Sequence, residues 1–417
     1  MRKSVHPSRV EGEVQAPPSK SVMQRFTAAA LLAAGRTTRI RNPSFCDDAL
    51  AALRVSRELG ASVEEGSDEV VIRGGLAPTG RELDCGESGL CLRLFTPIAA
   101  LSPQELVLSG LELLRRRPVG MVERPLRDLG ASCRTENGFP PVRVQGPLRG
   151  GTAVVDGSTS SQFLSGLLMA LPLAERDSRL SVRDLKSRPY VDLTLQVLAE
   201  CGVRVQNGDY EEFVIPAGQS YTPGDVEVEG DWSAAAALLA AGAIGGRVRV
   251  TGLRTDSVQA DRRVLAALEA AGARVRLLAG AAEAERGDPR AFAFDATDAP
   301  DLLPALVALA CHCPGTSRLA GASRLRHKEI DRAAALAGEL GRLGARIDVR
   351  GDVLEVQGGP LTGGAADARG DHRMAMALAA AALAARGPVT ISGAECVAKS
   401  YPAFFEDLVS IGGRIDG

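Results

Sequence analysis

The 417-residue chain has almost no excess charge of either sign: 49 Lys and Arg against 51 Asp and Glu leave a net charge of −2. No global basic field exists to hold nucleic acid, so any anion site has to be built from local clusters. Long apolar runs are also missing. The Ala/Leu-rich stretches are cut by Gly, Pro or charge before they reach the roughly 20 residues of a membrane span, and the opening MRKSVHPSRVEGEV carries no apolar signal segment. These absences predict a soluble, cytoplasmic protein with no membrane or nucleic-acid partner. Paired CxxC spacing is missing among the 8 cysteines (46, 85, 91, 133, 201, 311, 313 and 396), most of which stand among apolar neighbours, so disulfides are not expected. Cys311-His312-Cys313 looks metal-like, but it closes the apolar run ALVALACHCPG, and residues i and i+2 of a helix diverge. Packing, not a metal, is the expectation there.

What the chain does have is a repeat. SRELGASV, RDLGASCR, AECGVRV, EAAGARV, GRLGARI and VSIGGRI each end a helical pattern with glycine and begin a strand-like stretch. The glycines are Gly60, Gly130, Gly202, Gly272, Gly344 and Gly412, separated by 70, 72, 70, 72 and 68 residues. Glycine just past a helix end takes the left-handed cap without steric cost, so each marks the same structural place. Each unit also opens alike, with an Ala/Leu-rich helix and then a β-branched strand, as in AALLAAGRTTRIR and LAAAALAARGPVTISG. The unit therefore reads as buried helix, strand, loop, amphipathic helix, glycine and two strands. Helices that are apolar all round belong inside, with sheets and second helices around them. The predicted class is α/β, with six units in two globules of three. RVEGEVQAPPSKS and DVEVEGDWSAA hold the non-repeating strands, which places the crossings near residues 16 to 20 and 228 to 231. One domain is then 1–16 plus 230–417, with the N-terminal strand and the last three repeats; the other is 17–229.

Polar loops recur at fixed phase. Before the first helices stand PSKS (18–21), GESG (86–89), STSSQ (158–162), EGDWS (229–233), PDLL (300–303) and DHR (371–373). Before the second helices stand CDD (46–48), RRRPVG (115–120), KSRPY (186–190), RTDS (254–257), RHKEIDR (326–332) and VAKSYP (397–402). Helix N-termini are ready anion sites. Taken singly, RRR reads as a solvated helix start and SSQ as an ordinary cap; the shared phase is what points to a site. In PPSKSVMQR (17–25), prolines stop the preceding element and Ser19 is a good N-cap, so Lys20 and Ser21 fall in a first helical turn. A cation there opposes the helix dipole and implies a compensating anion. Lys20, Arg25, Arg117, Arg332, Arg373 and Lys399, with the carboxylates Asp301 and Glu329, suggest transfer chemistry on phosphorylated or carboxylated small molecules.

PPSKSVMQR, SSQFLSGLLMALPL, SRPYVDLTL, EGDWSAAAALLAAGAI, PDLLPALVALA, LRHKEIDR, DHRMAMALAAAAL and AKSYPAFFEDL resemble, in order and along the whole chain, the motifs of the 5-enolpyruvylshikimate 3-phosphate (EPSP) synthase family. The resemblance implies an inside-out α/β barrel of two domains, each of three βαβαββ units. It implies transfer of enolpyruvyl from phosphoenolpyruvate to the 5-hydroxyl of shikimate 3-phosphate, with no metal or redox cofactor, in a chain that is a monomer by family default. By matching position, Lys20, Ser21, Arg25, Ser160, Ser161, Gln162, Ser187, Tyr190, Asp301 and Lys328 are implied for shikimate 3-phosphate. Lys20, Gly89, Arg117, Gln162, Arg332, Arg373 and Lys399 are implied for phosphoenolpyruvate, and Asp301, Glu329 and Lys20 for catalysis. One motif departs: the family's Gly-Asn-Ala-Gly-Thr is CGESGL here, with Glu87, Ser88 and Leu90 at the Asn, Ala and Thr positions, while Gly89 and Arg93 are retained. Glu87 is expected either to turn toward Arg93 or Arg117 or to be a first-turn carboxylate facing solvent. The sister transferases acting on UDP-N-acetylglucosamine open with Gly-Ala-Lys-Asn-Ala and carry a reactive cysteine where LRRRPVGMVERPL has none.

Overall fold

All six marker glycines have positive φ, between +79° and +112°. Each follows a short amphipathic helix: Asp47–Glu58, Glu123–Asp128, Arg188–Glu200, Val264–Ala270, Arg332–Arg342 and Phe404–Ser410. At Gly60 a β-carbon would also lie 2.6 Å from the Ala77 carbonyl oxygen, so left-handed backbone and close approach coincide.

The computed structural model describes residues 1–326 and 328–417; His327 of LRHKEIDR lies outside the described residues. The chain divides into two compact units, Pro18–Val228 and Met1–Pro17 with Glu229–Gly417. Among the described residues there are six four-stranded sheets, three in each unit, and every one has the same order. Glu82–Asp84 runs parallel to Leu106–Ser109, which pairs antiparallel with Phe139–Gln145, which pairs antiparallel with Ser132–Glu136. The parallel pair needs a crossover and the antiparallel pair only a hairpin, which is why a buried helix separates the first two strands and a tight turn the last two.

Strands borrowed from a distance complete three sheets. Asp225–Glu227 supplies the first strand beside Thr37–Arg41, and Val10–Gln15 does so beside Gly246–Thr251. Arg2–His6 lies between Val389–Ser392 and Arg414–Asp416. Among the described residues no sheet closes on itself. The barrel is inside out because helices fill the middle of each unit: Lys20–Leu32, Gly89–Ala99 and Gln162–Ala170 in one, and Trp232–Gly245, Leu303–Ala310 and His372–Ala382 in the other. Trp232–Gly245 buries every residue except Ser233 and Gly245. Apolar area lost to water on all sides of such helices, at about 25 cal/mol per Å², is the main stabilising term.

No described helix is long and apolar enough to cross a membrane. The Cys-His-Cys string sits at the end of Leu303–Ala310 and packs: His312 Nε2 bonds the Ala381 carbonyl oxygen at 2.9 Å, and the Cys313 thiol donates to the Leu309 carbonyl at 3.4 Å. Burial pushes the Cys311 thiol up to about 12.

Candidate active site

In the Pro18–Val228 unit, Ser19 takes extended backbone and its Oγ accepts from the Val22 amide, so the helix begins at Lys20. Lys20 Nζ reaches Asp48 Oδ2 at 2.8 Å. This corrects one expectation: the protein itself supplies a carboxylate to the first-turn cation, from the second-helix loop CDD. Arg25, only 1% exposed, donates to Thr194 Oγ1 (2.8 Å), the Ser21 carbonyl (2.9 Å), the Tyr190 carbonyl (3.0 Å) and Ser165 Oγ (3.4 Å). All four partners are neutral. Burial lowers its pKa to about 10, with Tyr190 acting the other way, and the guanidinium stays charged at neutral pH. A buried cation among neutral acceptors is suited to an anionic ligand.

Ser161 precedes the helix Gln162–Ala170, and the Gln162 amide N–H donates to Ser160 Oγ at 3.2 Å. Gln162 Oε1 accepts from Arg93 Nη1 at 3.0 Å, while Arg93 Nη2 donates to the Pro118 carbonyl at 2.8 Å. A β-carbon on Gly89 would stand 2.3 Å from Arg117 Nη1, so the Arg117 guanidinium lies directly on the start of helix Gly89–Ala99. Gly89, Arg93, Arg117 and Gln162 are thus one constellation. Ser187, buried, is left-handed (φ +59°) immediately before helix Arg188–Glu200, and Tyr190 is half-buried.

Glu87 accepts from the amides of Leu113 (3.2 Å) and Leu114 (2.8 Å), at the start of the short helix Glu112–Arg115. The first-turn expectation had the right physics on the wrong helix. The carboxylate satisfies a neighbouring helix's orphan amides, a pairing set by tertiary packing.

In the unit containing Glu229–Gly417, six of the predicted residues form one ion network with Asp371. Asp301 Oδ1 meets Lys328 Nζ at 3.1 Å and Arg332 Nη1 at 3.0 Å, and its Oδ2 meets Arg373 Nη2 at 3.2 Å. Arg332 Nη2 lies 2.5 Å from Glu329 Oε2, whose other oxygen is 3.2 Å from Lys399 Nζ. Arg332 Nε donates to Asp371 Oδ2 at 2.6 Å. Asp371 also caps His372–Ala382 through the amides of Arg373 (2.9 Å) and Met374 (3.4 Å). These groups are four cations and three carboxylates; all but Lys399, the last residue of the short helix Ala394–Lys399, stand at or just before helix starts.

Burial pushes the Asp301 carboxyl up, but Arg373, Lys328 and Arg332 together outweigh it and hold the group well below the ordinary carboxylate range. Burial lowers the Lys328 pKa, opposed by Asp301. For Arg332, burial acts downward and is overcome by Asp371, Glu329 and Asp301, leaving the pKa above its usual value. An arriving anion therefore competes with the protein's own carboxylates for these cations.

Sequence reasoning passed over Asp48, Asp371, Ser165 and Thr194 as site members. Asp48 and Asp371 stood in the quoted loops CDD and DHR, where a first-turn position for Asp48 and a cap position for Asp371 were the available signals. Ser165 and Thr194 lie inside helices and had none.

Buried cations and carboxylates gathered at the starts of repeated helices define an enzyme that transfers groups between anionic small molecules. The sequence model of EPSP synthase (3-phosphoshikimate 1-carboxyvinyltransferase) matches residues 5–408. The chain is 44% identical over 414 residues to the 3-phosphoshikimate 1-carboxyvinyltransferase of Aeropyrum pernix, covering 99% of this chain and 96% of that one. It is 38% identical over 417 residues to the enzyme of that name from Clostridium kluyveri, covering 99% and 98%. A solved EPSP synthase from Acinetobacter baumannii superposes with a TM-score of 0.83 at 29% identity, covering 100% of this chain and 99% of that one. The chain belongs to the EPSP synthase family.

Proposed function

We infer that the chain transfers the enolpyruvyl group of phosphoenolpyruvate to the 5-hydroxyl of shikimate 3-phosphate, giving 5-enolpyruvylshikimate 3-phosphate and inorganic phosphate, a step of aromatic amino acid biosynthesis. In this reaction the hydroxyl oxygen bonds to C2 of phosphoenolpyruvate as the methylene carbon gains a proton. The tetrahedral adduct then breaks its C2–O(phosphate) bond, and the methyl carbon returns a proton as phosphate leaves. The chemistry needs a proton donor, a proton acceptor and a firm grip on a phosphate and a carboxylate.

We propose for each residue the role that the family resemblance implies. In the Pro18–Val228 unit, Ser21, Arg25, Ser160, Ser161, Gln162, Ser187 and Tyr190 take shikimate 3-phosphate, while Lys20, Gly89, Arg117 and Gln162 take phosphoenolpyruvate. In the other unit, Lys328 and Asp301 serve the shikimate and Arg332, Arg373 and Lys399 the phosphoenolpyruvate. Arginine suits this work because its fork matches carboxylate and phosphate oxygens. Glu329 and Asp301 transfer protons, and Lys20 attends the bridging or leaving phosphate oxygen.

The observation that carries this reading is the pairing of Arg332 with both Asp301 and Glu329. At rest Asp301 is a weak base, because cations hold its pKa down. A ligand anion that draws Arg373, Lys328 and Arg332 away raises its proton affinity when the substrate hydroxyl is in place. We further propose a cytoplasmic monomer. The test is phosphate release from phosphoenolpyruvate: it should require shikimate 3-phosphate. Release with UDP-N-acetylglucosamine instead, or none with either acceptor, overturns the assignment.

A further inference from the structure

The pair Lys20–Asp48 raises a question that the reading above leaves open. Asp48 stands in the first turn of helix Asp47–Glu58 and is 4% exposed. Its Oδ2 holds Lys20 Nζ at 2.8 Å, whereas its Oδ1 is buried and has no hydrogen-bond partner. A buried carboxylate with one oxygen unsatisfied is a poor stability device: its desolvation is costly, and a single ion pair seldom recovers it. Its charge is felt locally. Burial pushes the Cys46 thiol up to about 11, with Asp48 adding to the rise and Lys20 opposing it.

We propose that Asp48 is a positioning residue that sets the place and the available charge of the Lys20 ammonium. The proposal rests on the reading of Lys20 as a phosphate-binding cation. Four single bonds give a lysine stem many rotamers, and one fixed carboxylate at its tip selects among them. The same carboxylate offsets the ammonium's charge and repels an incoming phosphate. The resting site thereby holds its anion less tightly than an isolated lysine would, and keeps the ammonium at the location needed when negative charge develops on the leaving phosphate.

This gives opposite signs for two measurable quantities. Asp48→Asn keeps the shape and removes the charge. Relative to wild type, its KM for phosphoenolpyruvate at saturating shikimate 3-phosphate, and its inhibition constant for inorganic phosphate, should fall by on the order of fivefold. Its kcat should fall by about tenfold or more, since the ammonium is no longer held in place. A residue acting only in folding would lower the melting temperature and weaken binding and turnover together. An unchanged kcat, or a phosphate constant that rises, overturns the proposal. If Asp48→Asn fails to fold, Asp48→Glu decides: charge retained should leave the phosphate constant near wild type, and a tighter constant refutes the role. Absence of turnover in the wild-type enzyme would refute the functional reading instead, so the two failures are separable.

Discussion

Arg332 and Asp371 form the most deeply buried ion pair of the site: Nε to Oδ2 is 2.6 Å, and the side chains are 1% and 0% exposed. Asp371 does two jobs at once, holding the guanidinium and capping the helix His372–Ala382. Replacing it by Ala should cost about 1 kcal/mol for the cap and about 3–5 kcal/mol for leaving a buried charge without this partner. Thermal unfolding should show a drop of many degrees, with Asp371→Asn, which can still cap, losing less. Equal melting temperatures for wild type and Asp371→Ala would refute this account.

Glu329→Gln removes the group proposed above for proton transfer while leaving the shape of the site. Turnover is expected to fall by roughly 10²–10⁴-fold. Glu329 engages both Arg332 and Lys399, so its neutralisation leaves those cations more available to an anion. The KM for phosphoenolpyruvate should therefore stay level or drop. Steady-state kinetics in both substrates test the split, and retention of most turnover would remove Glu329 from the mechanism.

Gly89→Ala places a methyl group against Arg117, whose guanidinium atoms stand 2.3, 2.6 and 2.9 Å from the added carbon. The arginine must swing aside. Because Ala is a better helix former than Gly, the melting temperature should hold or rise by an amount on the order of 1 kcal/mol in stability. Phosphoenolpyruvate should bind more weakly, as should glyphosate, an inhibitor that targets this family, and shikimate 3-phosphate about as before. Titration of the three ligands decides it, and an equal loss for all three contradicts the local explanation.

A charge lattice covers one sheet of the Glu229–Gly417 unit. Glu11 and Glu13, Arg247 and Arg249, Glu283 and Glu285, and Arg274 and Arg276 stand on four neighbouring strands in alternating sign. Glu283, 2% exposed, is approached by Arg247 at 2.9 Å, Arg249 at 3.3 Å and Arg276 at 3.7 Å. Bonding to Arg247 leads in holding its carboxyl below the ordinary range, against the opposing effect of burial. A depressed folded-state pKa means that the stabilisation is present above the unfolded value and is lost as pH falls through the folded one. Glu283→Gln should lower the melting temperature at neutral pH, and the difference from wild type should shrink below the usual carboxylate range and in high salt. A difference independent of both would disprove it.

Much of the architecture was readable from one chain because it is periodic. A glycine every 70 residues or so marks a left-handed position that few other residues adopt, and apolar-all-round helices can only be interior. The phase of the polar loops then singled out Lys20, Arg117, Asp301, Glu329, Arg332, Arg373 and Lys399 as residues of loops or first turns without coordinates. All of these signals are local: backbone geometry and burial act on a few neighbouring residues and leave a mark in spacing.

Which charge meets which was decided by the tertiary structure. Glu87 sits on another helix's amides and not on its own, and Lys20 is met by Asp48, 28 residues away. Arg25 finds Thr194 and Ser165 across 169 and 140 residues. Pairings of this kind depend on distances of a few ångströms between separate elements, and Coulomb and hydrogen-bond energies change steeply over such distances. The amino-acid sequence determined the repeat, the inner helices and the candidate residues, because those follow from backbone chemistry and hydrophobic period. Only the folded packing chose the partners, because an ion pair between distant segments has no period in the chain.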